Sequence, residues 1–238
     1  MKIAIIGYGK MGKEIEKICI ERSHEISLII DIHNQADLNQ ANLKKVDVAI
    51  DFTTPASVVT NILTCFDACI PIVVGTTGWN NDFKQISEIC VQKNLALFHA
   101  SNYSIGVNIL FAVNEYLATL MNKFPQYDVS LEETHHTQKL DAPSGTAISL
   151  ANQIISKLDR KKKWALNTTS GSESLKIKAI KKGDVNGIHE IRYESEVDYL
   201  TIKHFARSRK GFALGAVLAA EYIKDKKGIF TMRQLLEL

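Results

Sequence analysis

The chain has 238 residues, 45% of them hydrophobic and 23% charged, enough apolar material for at least one full core and, at this length, for two moderate domains. Its 29 basic and 26 acidic side chains leave a formal net charge of +3, too small and too scattered to require a nucleic acid or an anionic membrane as partner. A slight positive excess suits small acidic ligands.

The chain opens MKIAIIGYGKMG, with only four apolar residues, Ile3 to Ile6, before Gly7. That is a buried strand rather than a secretion signal. No later stretch reaches the ~18 uninterrupted apolar residues of a membrane helix, so a cytoplasmic protein without a membrane partner is expected. Cys19, Cys65, Cys69 and Cys90 form no CxxC pair and have no histidine at ligand spacing; all four are expected as buried small hydrophobes.

Short apolar runs then alternate with helical patterns: KIAII and residues 11–22, EISLIID and a polar stretch, VDVAIDF and 55–66, PIVVG and 80–92, and finally LALFHA. Strands apolar on both faces belong to a covered parallel sheet, so the first hundred residues predict an α/β, Rossmann-type doubly wound fold. GYGKMG follows the first strand and opens the first helix, the context in which GxGxxG marks a dinucleotide site. Gly7 permits the turn, Gly9 lets backbone amides approach a pyrophosphate, and Gly12 allows helix and sheet to pack closely. Asp31, at the end of the second strand, is placed to accept from an adenosine ribose. Ile32 follows it where an arginine would hold a 2′-phosphate, so NADH is preferred, with Lys10 and His33 as weak phosphate contacts that keep NADPH open. GTTG (Gly75, Thr76, Thr77, Gly78) and ASNYS (from Ala100, Ser101, Asn102 and Tyr103 to Ser104) each follow a strand and fall at the carboxyl edge where ligands of open sheets collect.

After Ser104 the alternation stops. Residues 105–123 predict one long helix leading into a second domain, followed by the strand-like YDVSLEET, a helix at 144–158 and three consecutive strand patterns. Strands without intervening helices imply an α+β domain on a mixed or antiparallel sheet. Residues 159–174 are polar and basic and predict a mobile surface loop with a solvated cationic face. The apolar helix at 211–223 returns the chain, giving a dinucleotide-binding domain of 1–104 plus 211–238 and a second domain of 105–210.

EETHHTQKLDAPSGTA, residues 132–147, joins that strand to its helix. Along a strand His135 and His136 point to opposite sides and there is no HExxH, so no metal is expected. The segment supplies an imidazole, the Lys139 ammonium and the backbone amides of Ser144, Gly145 and Thr146 at a helix N-terminus, a cradle for a carboxylate. Histidine is suited to general acid work and lysine to holding a carboxylate or giving a proton. Ser144 can also act simply as the helix cap.

The string from Glu133 to Ala147 closely resembles the E-x-HH-x-x-K-x-D-x-PSGTA signature of bacterial dihydrodipicolinate reductases. DFT at 51–53, VGTTG at 74–78, SNYSIGVN at 101–108, GDVNGIHE at 183–190 and ARSR at 206–209 extend the likeness along nearly the whole chain. The resemblance implies reduction of a cyclic unsaturated diacid with NADH or NADPH, giving tetrahydrodipicolinate in diaminopimelate and lysine synthesis. It implies His135 and Lys139 as the proton-donor pair, with His136, Ser144, Gly145 and Thr146 on the substrate. Gly7, Tyr8, Gly9, Lys10, Met11, Gly12, Asp31, Gly75 to Thr77 and Ala100 to Tyr103 would hold the cofactor. It further implies a homotetramer assembled through the second-domain sheets. The glycine loop is one residue shorter than the family's common GxxGxxG form, Ile32 replaces a frequent arginine, and the chain is shorter than many relatives; these departures bear on cofactor preference. The rival readings are another two-domain NAD(P)-dependent dehydrogenase and a non-catalytic NADH-sensing module.

Overall fold

The computed structural model describes residues 1–139, 141–168 and 171–238; Leu140 of the central motif and Thr169 and Ser170 of the expected surface loop lie outside the described residues. The chain divides into two compact units, Met1–Ile105 with Arg209–Leu238, and Gly106–Ser208.

The first unit follows from its alternating pattern. In chain order it runs β1 (Lys2–Ile6), α1 (Lys10–Glu21), β2 (Glu25–Ile30), α2 (Gln40–Leu43), β3 (Val48–Asp51), α3 (Pro55–Asp67), β4 (Ile72–Val74), α4 (Phe83–Gln92) and β5 (Ala96–His99). The chain then leaves through α5 (Ile105–Met121) and the second unit, returning as α7 (Lys210–Ile223), β11 (Gly228–Phe230) and α8 (Met232–Leu235). All pairings are parallel, in the order β11-β5-β4-β3-β1-β2. The direction of travel reverses between β1 and β3, which is the switch point that opens a crevice at the strands' carboxyl ends.

Both faces are covered, as the apolar strands require. Val58, Ile62 and Phe66 of α3 and Ile86 of α4 pack on Ala4, Ala49, Ile72 and Leu97. On the other face Ile15 and Ile18 of α1 and Ala216, Val217 and Ala220 of α7 cover Ile3, Ile5, Ile50 and Val73. Each such aliphatic side chain contributes roughly 1.5–3 kcal/mol on burial. Strand β11 escapes the sequence reading because Gly-Ile-Phe is too short to show a period.

The second unit contains β6 (Asp128–His135), α6 (Gly145–Lys157), β7 (Lys163–Leu166), β8 (Ser174–Lys181), β9 (Ile188–Glu194) and β10 (Tyr199–Phe205). Its sheet is mixed, in the order β10-β9-β6-β8-β7, with β6 parallel to β8 and antiparallel to β9. Alternate residues Val129, Leu131, Ile177, Ile191 and Tyr193 face a core closed by Leu150, Ala151 and Ile154 of α6. Residues 159–174 are not simply a solvated loop. Lys163–Leu166 pair with β8 as an edge strand. Lys161 is only 3% exposed, its Nζ donating to Ser172 O at 2.8 Å and Ser174 O at 3.2 Å and pairing with Asp128 at 2.7 Å. Arg160 donates to Met121 O and Tyr127 O. A cation accepts burial when such partners replace its water, which a charge count cannot reveal.

Three cysteines are buried as expected, and burial pushes the Cys19 thiol up to about 12. Cys69 is the exception: it is exposed, at φ +59° in the turn after α3. No helix among the described residues is long and apolar enough to cross a membrane.

Candidate active site

In the first unit the glycine loop follows directly from its contacts. Gly7, at φ +94°, leaves β1 and donates its N–H to Ile30 O at 2.9 Å. A β-carbon there would lie 2.2 Å from Phe52 O, and one at Gly12 would lie 2.2 Å from Gly7 O, so both glycines are required by backbone packing. A β-carbon at Gly9 would meet nothing within 4 Å. Gly9 is the N-cap of α1 and gives no side-chain cap, so open space lies over helix amides that lack intrahelical acceptors. That combination fits a pyrophosphate. Asp31 closes β2 half-buried, with Oδ1 accepting from Ile32 N–H at 2.7 Å, while Ile32 and His33 are exposed.

Behind these loops lies a buried carboxylate that the sequence reading passed over within DFT. Asp51 accepts from Thr76 Oγ1 (2.7 Å), Asn61 Nδ2 (2.8 Å), Thr53 Oγ1 (2.9 Å) and Thr53 N–H (3.2 Å). Burial raises its pKa, and these bonds only partly offset that rise. Asp51 thereby ties the loop after β3 to the loop after β4. The Thr76 hydroxyl is used inward, accepting from Thr53 N–H at 2.7 Å, whereas Thr77 and Gly78 are exposed. Tyr103 is likewise internal: its hydroxyl donates to Val74 O at 2.8 Å, and burial raises its pKa well above the usual value. Tyr8 donates to Glu16, and Met11 packs against the core.

In the second unit the register of β6 builds the other group. Antiparallel pairing sets Glu133 opposite His189, and parallel pairing sets His135 beside Lys181. His135 ends the strand with its Nδ1 3.4 Å from Glu133 Oε2. Burial lowers its pKa to about 4, the Glu133 charge opposing that shift, so the imidazole is neutral near pH 7. Burial would raise Glu133, but the neighbouring His189 imidazole and the bonds from Ser144 outweigh it and hold the carboxyl at about 2. His136 follows the strand, half-buried, with Nδ1 shielded and unpartnered. Lys139 Nζ is held by both oxygens of Asp141 at 2.7 and 2.8 Å, and Lys181 Nζ donates to Lys139 O and Asp141 O, steadying the same loop. At the start of α6 Ser144 Oγ accepts from Ala147 N–H, so Ser144 does cap the helix. Gly145, exposed and with no neighbour for a β-carbon, brings the first amide of α6 to the surface.

The comparisons with known proteins match both units. The family model described as dihydrodipicolinate reductase, N-terminus, matches residues 1–103, and that described as dihydrodipicolinate reductase, C-terminus, matches 106–236. The chain belongs to the dihydrodipicolinate reductase family. A protein of Christiangramia forsetii named 4-hydroxy-tetrahydrodipicolinate reductase is 49% identical, over 99% of this chain and 98% of its own length. One of the same name from Methanococcus aeolicus is 34% identical over 95% and 94%. Among solved structures, the dipicolinate-bound dihydrodipicolinate reductase from Paenisporosarcina sp. TG-14 aligns with a TM-score of 0.79 at 25% identity, covering 97% of each chain. An amine dehydrogenase of Mycobacterium smegmatis, at 9% identity and a TM-score of 0.61, shares the fold.

In this dihydrodipicolinate reductase family member the structure gathers His135, His136, Lys139, Ser144, Gly145 and Thr146 between the end of β6 and the start of α6. The Ser144 amide, expected as a free anion donor, is instead spent on Glu133 at 2.9 Å. Glu133 and His189 are the buried neighbours of His135 that sequence reasoning left unassigned. Glu133 was findable, since i and i+2 share a strand face; His189 becomes visible only once β9 is paired with β6. Donor atoms of Glu133, His135 and His189 lie within 4.8 Å of one another, the one such trio among the described residues. Ser144 joins two of them, its N–H donating to Glu133 and its hydroxyl lying 3.2 Å from His189 Nε2.

Proposed function

We propose that the chain is a 4-hydroxy-tetrahydrodipicolinate reductase of diaminopimelate and lysine synthesis. The overall reaction takes the hydroxylated cyclic diacid, NAD(P)H and a proton to tetrahydrodipicolinate, NAD(P)⁺ and water. Bound to the first unit, the nicotinamide cofactor supplies a hydride. The chain's own residues bind, orient and protonate. Gly7 to Gly12 present the α1 amides to the pyrophosphate, Asp31 accepts from the ribose, and the backbone of Gly75 to Thr77 and Ala100 to Tyr103 lines the remaining edge. On the second unit the Gly145 and Thr146 amides and His136 take one substrate carboxylate. Lys139 turns from Asp141 toward the other, exchanging one carboxylate partner for another. The dianion raises the depressed His135 pKa by bringing negative charge beside it, so that substrate binding itself arms the proton donor.

The observation that carries this reading is the grouping of His135, Lys139 and the exposed Gly145 at the start of α6 within a chain whose two halves both match the one family. With Ile32 where a 2′-phosphate would need a cation, NADH is the preferred reductant. We assign the enzyme to the cytoplasm as a homotetramer.

The test is NADH oxidation coupled to dihydrodipicolinate synthase, repeated with NADPH. Oxidation dependent on the synthase product, with kcat/KM higher for NADH, is expected. Tight NADH binding with no turnover would point instead to a sensing module.

A further inference from the structure

We propose that Glu133 and His189 are positioning residues: Glu133 fixes the tautomer of the His135 imidazole and ties it to the first turn of α6, and His189 holds the ring's direction. The proposal rests on the reading of His135 as proton donor. Glu133 is 2% exposed, and an ionised carboxylate survives such burial only when its lone pairs are filled. Ser144 N–H donates to its Oε1 at 2.9 Å and reaches Oε2 at 3.2 Å, while His135 Nδ1 lies 3.4 Å from Oε2. Facing an anionic oxygen, Nδ1 must carry the ring proton, because two lone pairs would repel. Nε2 is then left as the atom through which a proton enters and leaves. A buried carboxylate holding the far nitrogen of a histidine is the arrangement that stabilises an imidazolium when it forms.

His189 completes the brace. Its Nε2 lies 3.2 Å from Ser144 Oγ and 3.7 Å from Glu133 Oε2. Its ring meets that of His135 edge-on, with centroids 5.1 Å apart and planes at 69°. One carboxylate thus serves the imidazole and the helix that opens the carboxylate cradle, and one histidine buttresses both. A glutamine at 133 would not do the same: it carries no charge to face Nδ1, and its one acceptor oxygen is drawn to the Ser144 N–H. Its NH₂, turned to His135, would donate to Nδ1 and force the ring into the Nε2–H form.

Imidazole ¹H–¹⁵N correlation NMR of the full chain at neutral pH reads the tautomer directly, with His135 assigned by its loss in His135→Gln. The wild-type ring is expected as Nδ1–H and the Glu133→Gln ring as Nε2–H. Glu133→Gln is expected to lower kcat at least tenfold with NADH Kd within twofold. His189→Phe, which keeps a ring and removes Nε2, is expected to lower kcat about fivefold with the Nδ1–H tautomer retained. A wild-type Nε2–H ring, or Glu133→Gln with kcat within twofold of wild type, would overturn the proposal; unchanged kcat in His189→Phe would remove His189 from it. Full turnover in His135→Gln would instead reject His135 as donor, a separate failure that leaves the tautomer measurement standing.

Discussion

Lys139→Ala is expected to lower kcat/KM by about 10²–10⁴-fold while NADH affinity stays within about twofold, the range for loss of a general acid or of the charge that orients its target. The ammonium is the cation of the β6–α6 loop, held in place by Asp141 and by Lys181 on the loop's carbonyls. Those contacts all fall within the second unit, whereas the glycine loop, Asp31 and the loops tied by Asp51 belong to the first. Steady-state kinetics combined with NADH titration by fluorescence separates the two roles. A parallel fall in NADH affinity would refute separate cofactor and substrate subsites.

Gly12→Ala is expected to destabilise the protein by about 3 kcal/mol, as overpacking a closed site does, and to weaken NADH binding at least a hundredfold. The added carbon meets the Gly7 carbonyl oxygen at 2.2 Å and its carbon at 3.1 Å. Gly7 cannot retreat. Its own far side faces Phe52 O, and its N–H is bonded to Ile30 O. Helix α1 must therefore tilt from the sheet, carrying its N-terminal amides off the position from which they meet a pyrophosphate. Gly9→Ala provides the contrast, since its carbon meets no protein atom within 4 Å and its φ of −79° suits any residue. Urea unfolding of that variant should match wild type while NADH binding falls. Equal stability in Gly12→Ala and wild type would show that the loop yields more than its contacts suggest.

The parts of the fold that were legible in the sequence are those in which one strong physical demand acts locally. Ile3 to Ile6 is buried on both faces, and Gly7, Gly9 and Gly12 fall at the one spacing that turns a strand into a helix beneath a phosphate. Ser144 before Gly145 marked the start of α6. What was hidden depends on partners distant in sequence. Lys161 reads as a solvated charge until Ser172, Ser174 and Asp128 close around it. Strands β7 and β11 are four and three residues long and owe their extended form to the neighbours they extend. The Ser144 amide looked available because helix geometry alone predicts an orphan donor. Only the packing of β6 against α6 shows that Glu133 has already taken it, and only the β6–β9 register brings in His189.

On the proposed mechanism this chain transfers a hydride from a nicotinamide to a cyclic diacid that is protonated at the β6–α6 loop. The most direct test follows deuterium from NADH carrying two deuterons at the nicotinamide C4, with the substrate generated by dihydrodipicolinate synthase and the product weighed by mass spectrometry. One deuterium per tetrahydrodipicolinate formed is the predicted result. Product that carries none, or cofactor that is bound but never oxidised, would contradict it.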